Sequence, residues 1–269
     1  MPEGDTVFRA ARLLDRSLTG DRLVAADLRV PQHATVDLVG ATVVGTASRG
    51  KHLLTRVDAD GERLTLHTHL KMEGAWRVLR PGGRWPRPAR QARVVLTTAR
   101  RQAVGFSLGV VELLPTADED DVVGHLGPDL LGPGWDPEEA LRRLRADPDR
   151  PLVEALLDQR NLAGIGNMYA AELCFLTGVH PRTPVGEVDA LPRLVARAAQ
   201  VLRVNSDRPV QATTGDLREP HWVYRRDRRP CRRCAAPVAV DMTGPAGRER
   251  ATYWCPRCQP DRPGAAQGV

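Results

Sequence analysis

Lysine is almost absent from this chain of 269 residues. Of its 39 basic side chains, all but Lys51 and Lys71 are arginine. Codon bias in a GC-rich genome would suffice to explain the arginine. The two lysines still stand out, because a lysine can lose its proton in a suitable site and an arginine effectively cannot. Long apolar runs are also missing. None approaches the roughly 18 residues of a membrane-spanning helix, so no membrane partner is expected. The N-terminus lacks the basic, apolar and small-residue order of a signal peptide, and a cytoplasmic location is expected. No internal repeat is visible, which removes repeat architectures from consideration.

The bulk composition, 42% hydrophobic and 27% charged, is that of an ordinary soluble globular protein. The length suffices for two domains and a small module. The net charge of +6 points to a polyanionic partner. That charge is localised: His221–Val269 holds ten arginines and four acids, so the whole excess lies there.

The chain opens MPEGDTVFRAARLL. Asp5 or Thr6 can cap a helix whose apolar stripe is Val7, Ala11, Leu14 and Leu18. A chemical reading stands beside this one. Removal of Met1 turns the Pro2 nitrogen into a secondary amine, a nucleophile able to form a Schiff base. Glu3 is then a neighbouring carboxylate suited to moving protons.

Residues 22–114 read as short β-branched strands broken by turn residues, with DADG at 58–61 as a hairpin turn. This spacing favours an antiparallel sandwich or barrel. PTADEDDVV, from 115, carries an acidic run read as a solvated face, and a Gly/Pro-rich stretch follows as a linker. Helices are expected at PEEALRRLRA, PLVEALLD, GNMYAAELCFLTG and DALPRLVARAAQVLRVN, with Asn167 opening the third and Gly178 ending it.

Four constellations carry chemistry. Cys231, Cys234, Cys255 and Cys258 form two Cys-x-x-Cys pairs, suited to one tetrahedral structural zinc in a ribbon-like hairpin. Cytosolic context and spacing argue against disulfides. Cys174, in ELCFL, reads as a buried small hydrophobe. The zinc segment bears Arg225, Arg226, Arg228, Arg229, Arg232, Arg233, Arg248, Arg250 and Arg257, a backbone clamp for DNA. DQRNLAGIGNMYAAE (158–172) turns through glycines into a helix start whose N–H groups, with Asn167, can hold phosphate. In SRGKHLLTRV, Lys51 is expected to begin a strand as a proton donor or charge partner. In HTHLKMEGAW, Lys71 and Met72 fall in a turn, where an apolar side chain can fill the gap left by a flipped nucleotide. His67 and His69 alternate on one strand face and receive no catalytic role.

Together these pieces resemble the formamidopyrimidine-DNA glycosylase/endonuclease VIII family, from Pro2 to Gln259. The specific parts are PEG, DQRNLAGIGNMYAAE and RATYWCPRCQ, and PEG is closer to the endonuclease VIII branch. Asp5-Thr6 replaces the usual Pro-Glu, as in a divergent sub-branch. Residues 100–113 lack the clear Arg and Phe that many relatives use to fill the void. The resemblance implies an α+β multidomain fold. A β-sandwich catalytic domain with a flanking helix covers 1–115, and a linker covers 116–135. A helix–two-turn–helix domain covers 136–220, a zinc β-hairpin 221–260 and a disordered tail 261–269.

The implied activity is a bifunctional DNA glycosylase/AP lyase of base-excision repair. It removes oxidised bases, pyrimidines foremost, by β,δ-elimination, acting on damaged DNA as a monomer with one structural zinc. Pro2 is implied as the nucleophile at C1′ and Glu3 as the proton shuttle. Lys51 is implied to assist β-elimination, and Arg250 to grip the phosphate beside the lesion. Asn167 is implied as a phosphate ligand, Met72 as a void-filler and Lys71 as its neighbour on DNA. The alternatives are a catalytically inactive zinc-hairpin DNA-binding protein and an RNA-binding translation factor.

Overall fold

The computed structural model describes residues 2–244, 247 and 249–261. The chain divides after His125 into two compact units.

In the first unit, helix α1 (Gly4–Leu18) precedes eight strands. These are β1 (Leu23–Leu28), β2 (Thr42–Arg49), β3 (His52–Ala59), β4 (Glu62–His69), β5 (Ala75–Leu79), β6 (Ala92–Thr98), β7 (Gln102–Phe106) and β8 (Val110–Pro115). They pair antiparallel in two sheets, in the orders β2-β3-β4-β8 and β1-β6-β7-β5. One core joins α1 to both sheets: Val7, Leu14 and Leu18 pack with Leu53, Leu66, Trp76, Val94 and Leu96. The expected stripe of α1 is thus its buried face. Asp60 and Gly61, both at positive φ, make the two-residue turn between β3 and β4 that DADG encodes.

Residues 116–135, expected to be a linker, contain the boundary between the two units and carry structure of their own. Helix α2 (Glu119–Val123) is tied to the first unit. Glu119 accepts two hydrogen bonds from Arg56, at 2.7 and 2.6 Å, and one from Thr65 Oγ1 at 2.7 Å. One member of the acidic run is therefore a paired, half-buried anchor and not part of a solvated face. Leu130 is fully buried in the core of the second unit.

The second unit holds α3 (Pro137–Arg145), α4 (Leu152–Leu157), α5 (Asn167–Thr177) and α6 (Leu191–Ser206) around one core. Gly178 ends α5 at φ 72, the left-handed cap expected of it. Strands β9 (Ala239–Thr243) and β10 (Arg250–Trp254) form an antiparallel hairpin, with Arg250 opposite Thr243. The proposed tail lies outside the described residues except for Asp261.

Candidate functional site

Glu3, not Asp5 or Thr6, is the N-cap of α1. Its backbone is extended (φ −119, ψ −173) and its carbonyl accepts from the Val7 N–H at 3.0 Å. Glu3 is completely buried, and Pro2, directly ahead of it, is half-buried. Both lie at the positive end of a 15-residue helix, a field that would favour the neutral form of an amine placed there.

Lys51 sits one residue earlier than a strand start. Arg49 pairs with His52, leaving Gly50 and Lys51 as a two-residue hairpin turn. Gly50 takes φ 58, the conformation such a turn asks of its first central residue. Lys71 and Met72 occupy the turn after β4, where Met72 is 60% exposed. Lys71 is held at φ 50 with its N–H donating to His69 Nδ1 at 2.9 Å. A Cβ on Gly109 would fall 2.2 Å from Lys71 Cγ, so only glycine lets that side chain lie across the β7–β8 turn. A cleft of about 470 Å³ opens beside Pro2 and Met72, lined also by Glu73, Gly74, Arg87, Gln91 and Ser107.

The histidines form a cluster that sequence reasoning missed. His52 Nδ1 and His67 Nε2 are 2.8 Å apart, and His67 Nδ1 is 2.8 Å from Glu112 Oε2. With the carboxylate accepting from His67 Nδ1–H, His67 Nε2 accepts from His52 Nδ1–H. The His69 ring meets His52 edge-on at 5.0 Å, and His125 lies at 6.3 Å. Burial, reinforced by His69, His67, His125 and Lys71, pushes His52 down to about 3. Burial, with Lys71, Lys51 and His67, pushes His69 down to about 4.

The unfolded chain therefore binds more protons than the folded one below about pH 6.5. The stabilisation is complete above that value and is lost as pH falls toward about 3. Near pH 5, His52 alone should cost about 2 kcal/mol. Urea denaturation at about pH 7.5 and about pH 5 checks this. The loss on acidification should shrink clearly in His52→Gln, and an unchanged loss would remove His52 as its source.

In the second unit, α4 ends at Asp158, whose carboxylate takes Arg160 and Arg150. These partners, Arg160 foremost, hold Asp158 far below the usual carboxylate range against the opposing effect of burial. Gln159 fixes the two turns by donating to the Leu157 and Ile165 carbonyls and accepting from the Gly164 N–H. Asn167 opens α5 as expected, but its Nδ2 donates to the Ala251 carbonyl at 2.8 Å. The helix start is thus tied to the strand that presents Arg250. That arginine is exposed at the mouth of a cleft of about 270 Å³ shared with Arg150, Glu154, Asp158, Arg160 and Thr243.

Glu172, the last residue of the DQRNLAGIGNMYAAE segment, has a role that its sequence neighbours do not reveal. It is completely buried. It accepts from the backbone N–H groups of Trp222, Val223 and Tyr224, each at 2.8 Å, and from the Thr213 hydroxyl. One carboxylate therefore clamps the chain entering the cysteine module.

The four cysteine sulfurs lie within 4.8 Å of one another, with Cys231–Cys258 at 3.9 Å and Cys234–Cys255 at 3.4 Å. Tetrahedral zinc with Zn–S bonds of about 2.3 Å needs sulfurs about 3.8 Å apart, so the set fits a metal ion. Ala235 at φ 62 folds the first knuckle back on Cys231. Gln259 accepts from the Cys255 N–H and donates to the Val179 carbonyl, fastening the second. Cys174 is fully buried, and burial pushes its thiol up to about 12, as befits an inert core residue.

The basic module is only partly free to act as a clamp. Arg232 is engaged by Glu219 and the His221 carbonyl, and Arg226 caps the Pro230 carbonyl. Arg233 stacks over Phe175 at 4.4 Å. Arg248 lies outside the described residues.

Residues 1–107 match the formamidopyrimidine-DNA glycosylase N-terminal domain, and residues 126–208 match the H2TH domain of the same glycosylase. The chain is 57% identical to a probable endonuclease 8 2 of Streptomyces coelicolor, over all of this chain and 99% of that one. It is 49% identical to the DNA-(apurinic or apyrimidinic site) lyase Nei2 of Mycolicibacterium smegmatis, over 96% and 99%. A solved complex of Lactococcus lactis Fpg with abasic-site DNA is similar in fold, with a TM-score of 0.76 and 23% identity. That match covers 96% of this chain and 100% of that one.

Proposed function

The chain belongs to the formamidopyrimidine-DNA glycosylase family, within its endonuclease VIII branch, and we propose that Pro2 is the nucleophile of its reaction. The protein is a DNA glycosylase and AP lyase of base-excision repair. Neither the inactive DNA-binding reading nor the translation-factor reading finds support among the relatives. The observation that carries the assignment is the half-buried Pro2 ahead of a fully buried Glu3 at the start of α1.

The Pro2 nitrogen lone pair forms a bond to C1′ of the damaged nucleotide, and the bond from C1′ to the base breaks. Glu3 moves the protons that open the sugar ring and leave a cationic iminium between Pro2 and C1′. That cation acidifies C2′. Loss of the C2′ proton, assisted by Lys51, expels the 3′ phosphate, and a second elimination releases the 5′ phosphate. Arg250 grips phosphate through paired, charge-assisted N–H bonds. Asn167 adds a phosphate contact at the start of α5, Met72 fills the vacated stack, and Lys71 meets the backbone beside it. The four cysteines would hold one zinc ion, which makes the hairpin that carries Arg250 a rigid support. The substrate is DNA with an oxidised pyrimidine, met by a monomer in the cytoplasm.

Gel analysis of strand ends tests this reading. Cleavage of an abasic duplex should leave phosphate on both sides of the gap, and a strand that stays intact would contradict it. Arg250→Lys should keep its metal and fold yet lose cleavage, and Arg250→Ala, which removes the charge, should lower the salt slope of binding by about one. Arg262→Ala, outside the described residues, should behave as wild type.

A further inference from the structure

The chain of hydrogen bonds from Glu112 through His67 to His52 takes no part in attack at C1′. Its side chains come from β8, β4 and β3 and run from solvent to the protein interior. At the outer end the Glu112 side chain is 50% exposed, and in the middle His67 is only 4% exposed. The His67 and His52 rings are tilted by 18° to one another, which suits an in-plane hydrogen bond between them. At the inner end His52 follows Lys51 directly and begins β3. Across the ladder it pairs with His69, two residues before Lys71, and the charges of both lysines act on His69. The chain of bonds thus ends beside the turns that carry the two lysines.

Its direction is set by the carboxylate. Glu112 accepts, so Nδ1 of His67 and then Nδ1 of His52 carry hydrogen, and His52 Nε2 keeps its lone pair. The groups set around His52 are Arg49 on β2, His67 and His69 on β4, Lys51, Lys71 and His125. Each of these carries positive charge or can gain it, so a proton that reaches His52 does not rest there. It moves on toward Glu112, the one carboxylate of the chain.

The two eliminations take protons from carbon in succession, first from C2′ and then from C4′. Lys51 that has taken the first proton is an ammonium ion. It is no base for the second step until that proton leaves. We propose that His52, His67 and Glu112 form a relay that carries this proton from Lys51 to solvent. Lys51 Nζ gives a proton to His52 Nε2 as His52 Nδ1 gives one to His67 Nε2. His67 Nδ1 gives one to the Glu112 carboxylate, which releases it to water. Each bond to hydrogen that breaks is matched by one that forms, and both imidazoles stay neutral. The relay rests on the proposed roles of Pro2 and Lys51, and its members act through Lys51 without touching DNA.

The test is a single-turnover time course on an abasic duplex that resolves the products of the first and second eliminations. The full-length protein is compared with Glu112→Gln and Glu112→Ala. Glutamine keeps an acceptor for His67 Nδ1–H, and with it the geometry, but cannot take up the proton. In Glu112→Gln the first elimination should stay within about 2-fold of wild type and the second should slow by about 10-fold or more. Product of the first elimination therefore accumulates, while DNA binding is unchanged. Glu112→Ala should show the same split, and added formate should restore its second step, because the lost side chain is half-exposed. A second elimination at the wild-type rate in Glu112→Gln overturns the proposal. Equal slowing of both steps, or formate without effect on Glu112→Ala, overturns it as well. So does wild-type protein that stops after the first elimination. Wild-type protein that leaves the strand intact contradicts instead the roles of Pro2 and Lys51 on which the relay rests.

Discussion

Protein whose N-terminal amine is blocked loses cleavage of both damaged-base and abasic duplexes by roughly 10³-fold or more, while it still binds them. Chemistry and binding part here because they use different groups. On the proposed reading, attack at C1′ needs the Pro2 lone pair. On the same reading, retention of DNA rests on the arginines and the helix start at Asn167, none of which touches the amine's electrons. Pro2→Gly is the companion variant. It keeps a primary amine at the same place, so it should form an iminium more slowly and retain a fraction of the activity. Glu3→Gln should separate the steps further. Its side chain fills the same buried space ahead of α1 but cannot carry a proton, so base removal should fall more than binding. Blocked protein that cleaves as fast as unblocked protein would remove Pro2 from the reaction.

The second large effect is loss of the metal. Elemental analysis should find one zinc per chain. Chelation or Cys255→Ser should unfold the hairpin, since structural zinc contributes apparent binding energy on the order of 10 kcal/mol to a fold with little core of its own. The module's apolar cluster is small: Val223, Val238, Phe175 and Ala171 are its buried members besides cysteine. With the hairpin goes the support for Arg250 and the carbonyl of Ala251 that Asn167 holds. DNA binding should therefore weaken more than it does in Arg250→Lys. Active protein without zinc would contradict this.

What could be read in the sequence was whatever depends on near neighbours. The stripe of α1, the turn at Asp60-Gly61, the left-handed Gly178 and the paired cysteines each follow from residues a few positions apart. What escaped depends on residues that the fold brings together from afar. His52, His67, Glu112 and His125 come from three strands and the segment after α2, and nothing local distinguishes them from scattered surface histidines. Glu172 looked like one more helix residue because its three N–H donors lie about fifty positions downstream. The helix cap was misplaced because Asp5 and Thr6 are better capping residues than Glu3 by type, and the extended backbone at Glu3 overrode type. The glycines and prolines of 116–135 signal turns. Composition alone does not say that Leu130 between them is buried.

The most direct test of the central claim is to trap the reaction with borohydride on abasic-site DNA and locate the adduct by peptide mass mapping. Borohydride reduces an iminium to a stable amine, so the attacking nitrogen is marked permanently. The account requires the reduced sugar to be found on the N-terminal nitrogen of Pro2. An adduct on Lys51 or Lys71, or full trapping by protein that still carries Met1, would contradict it.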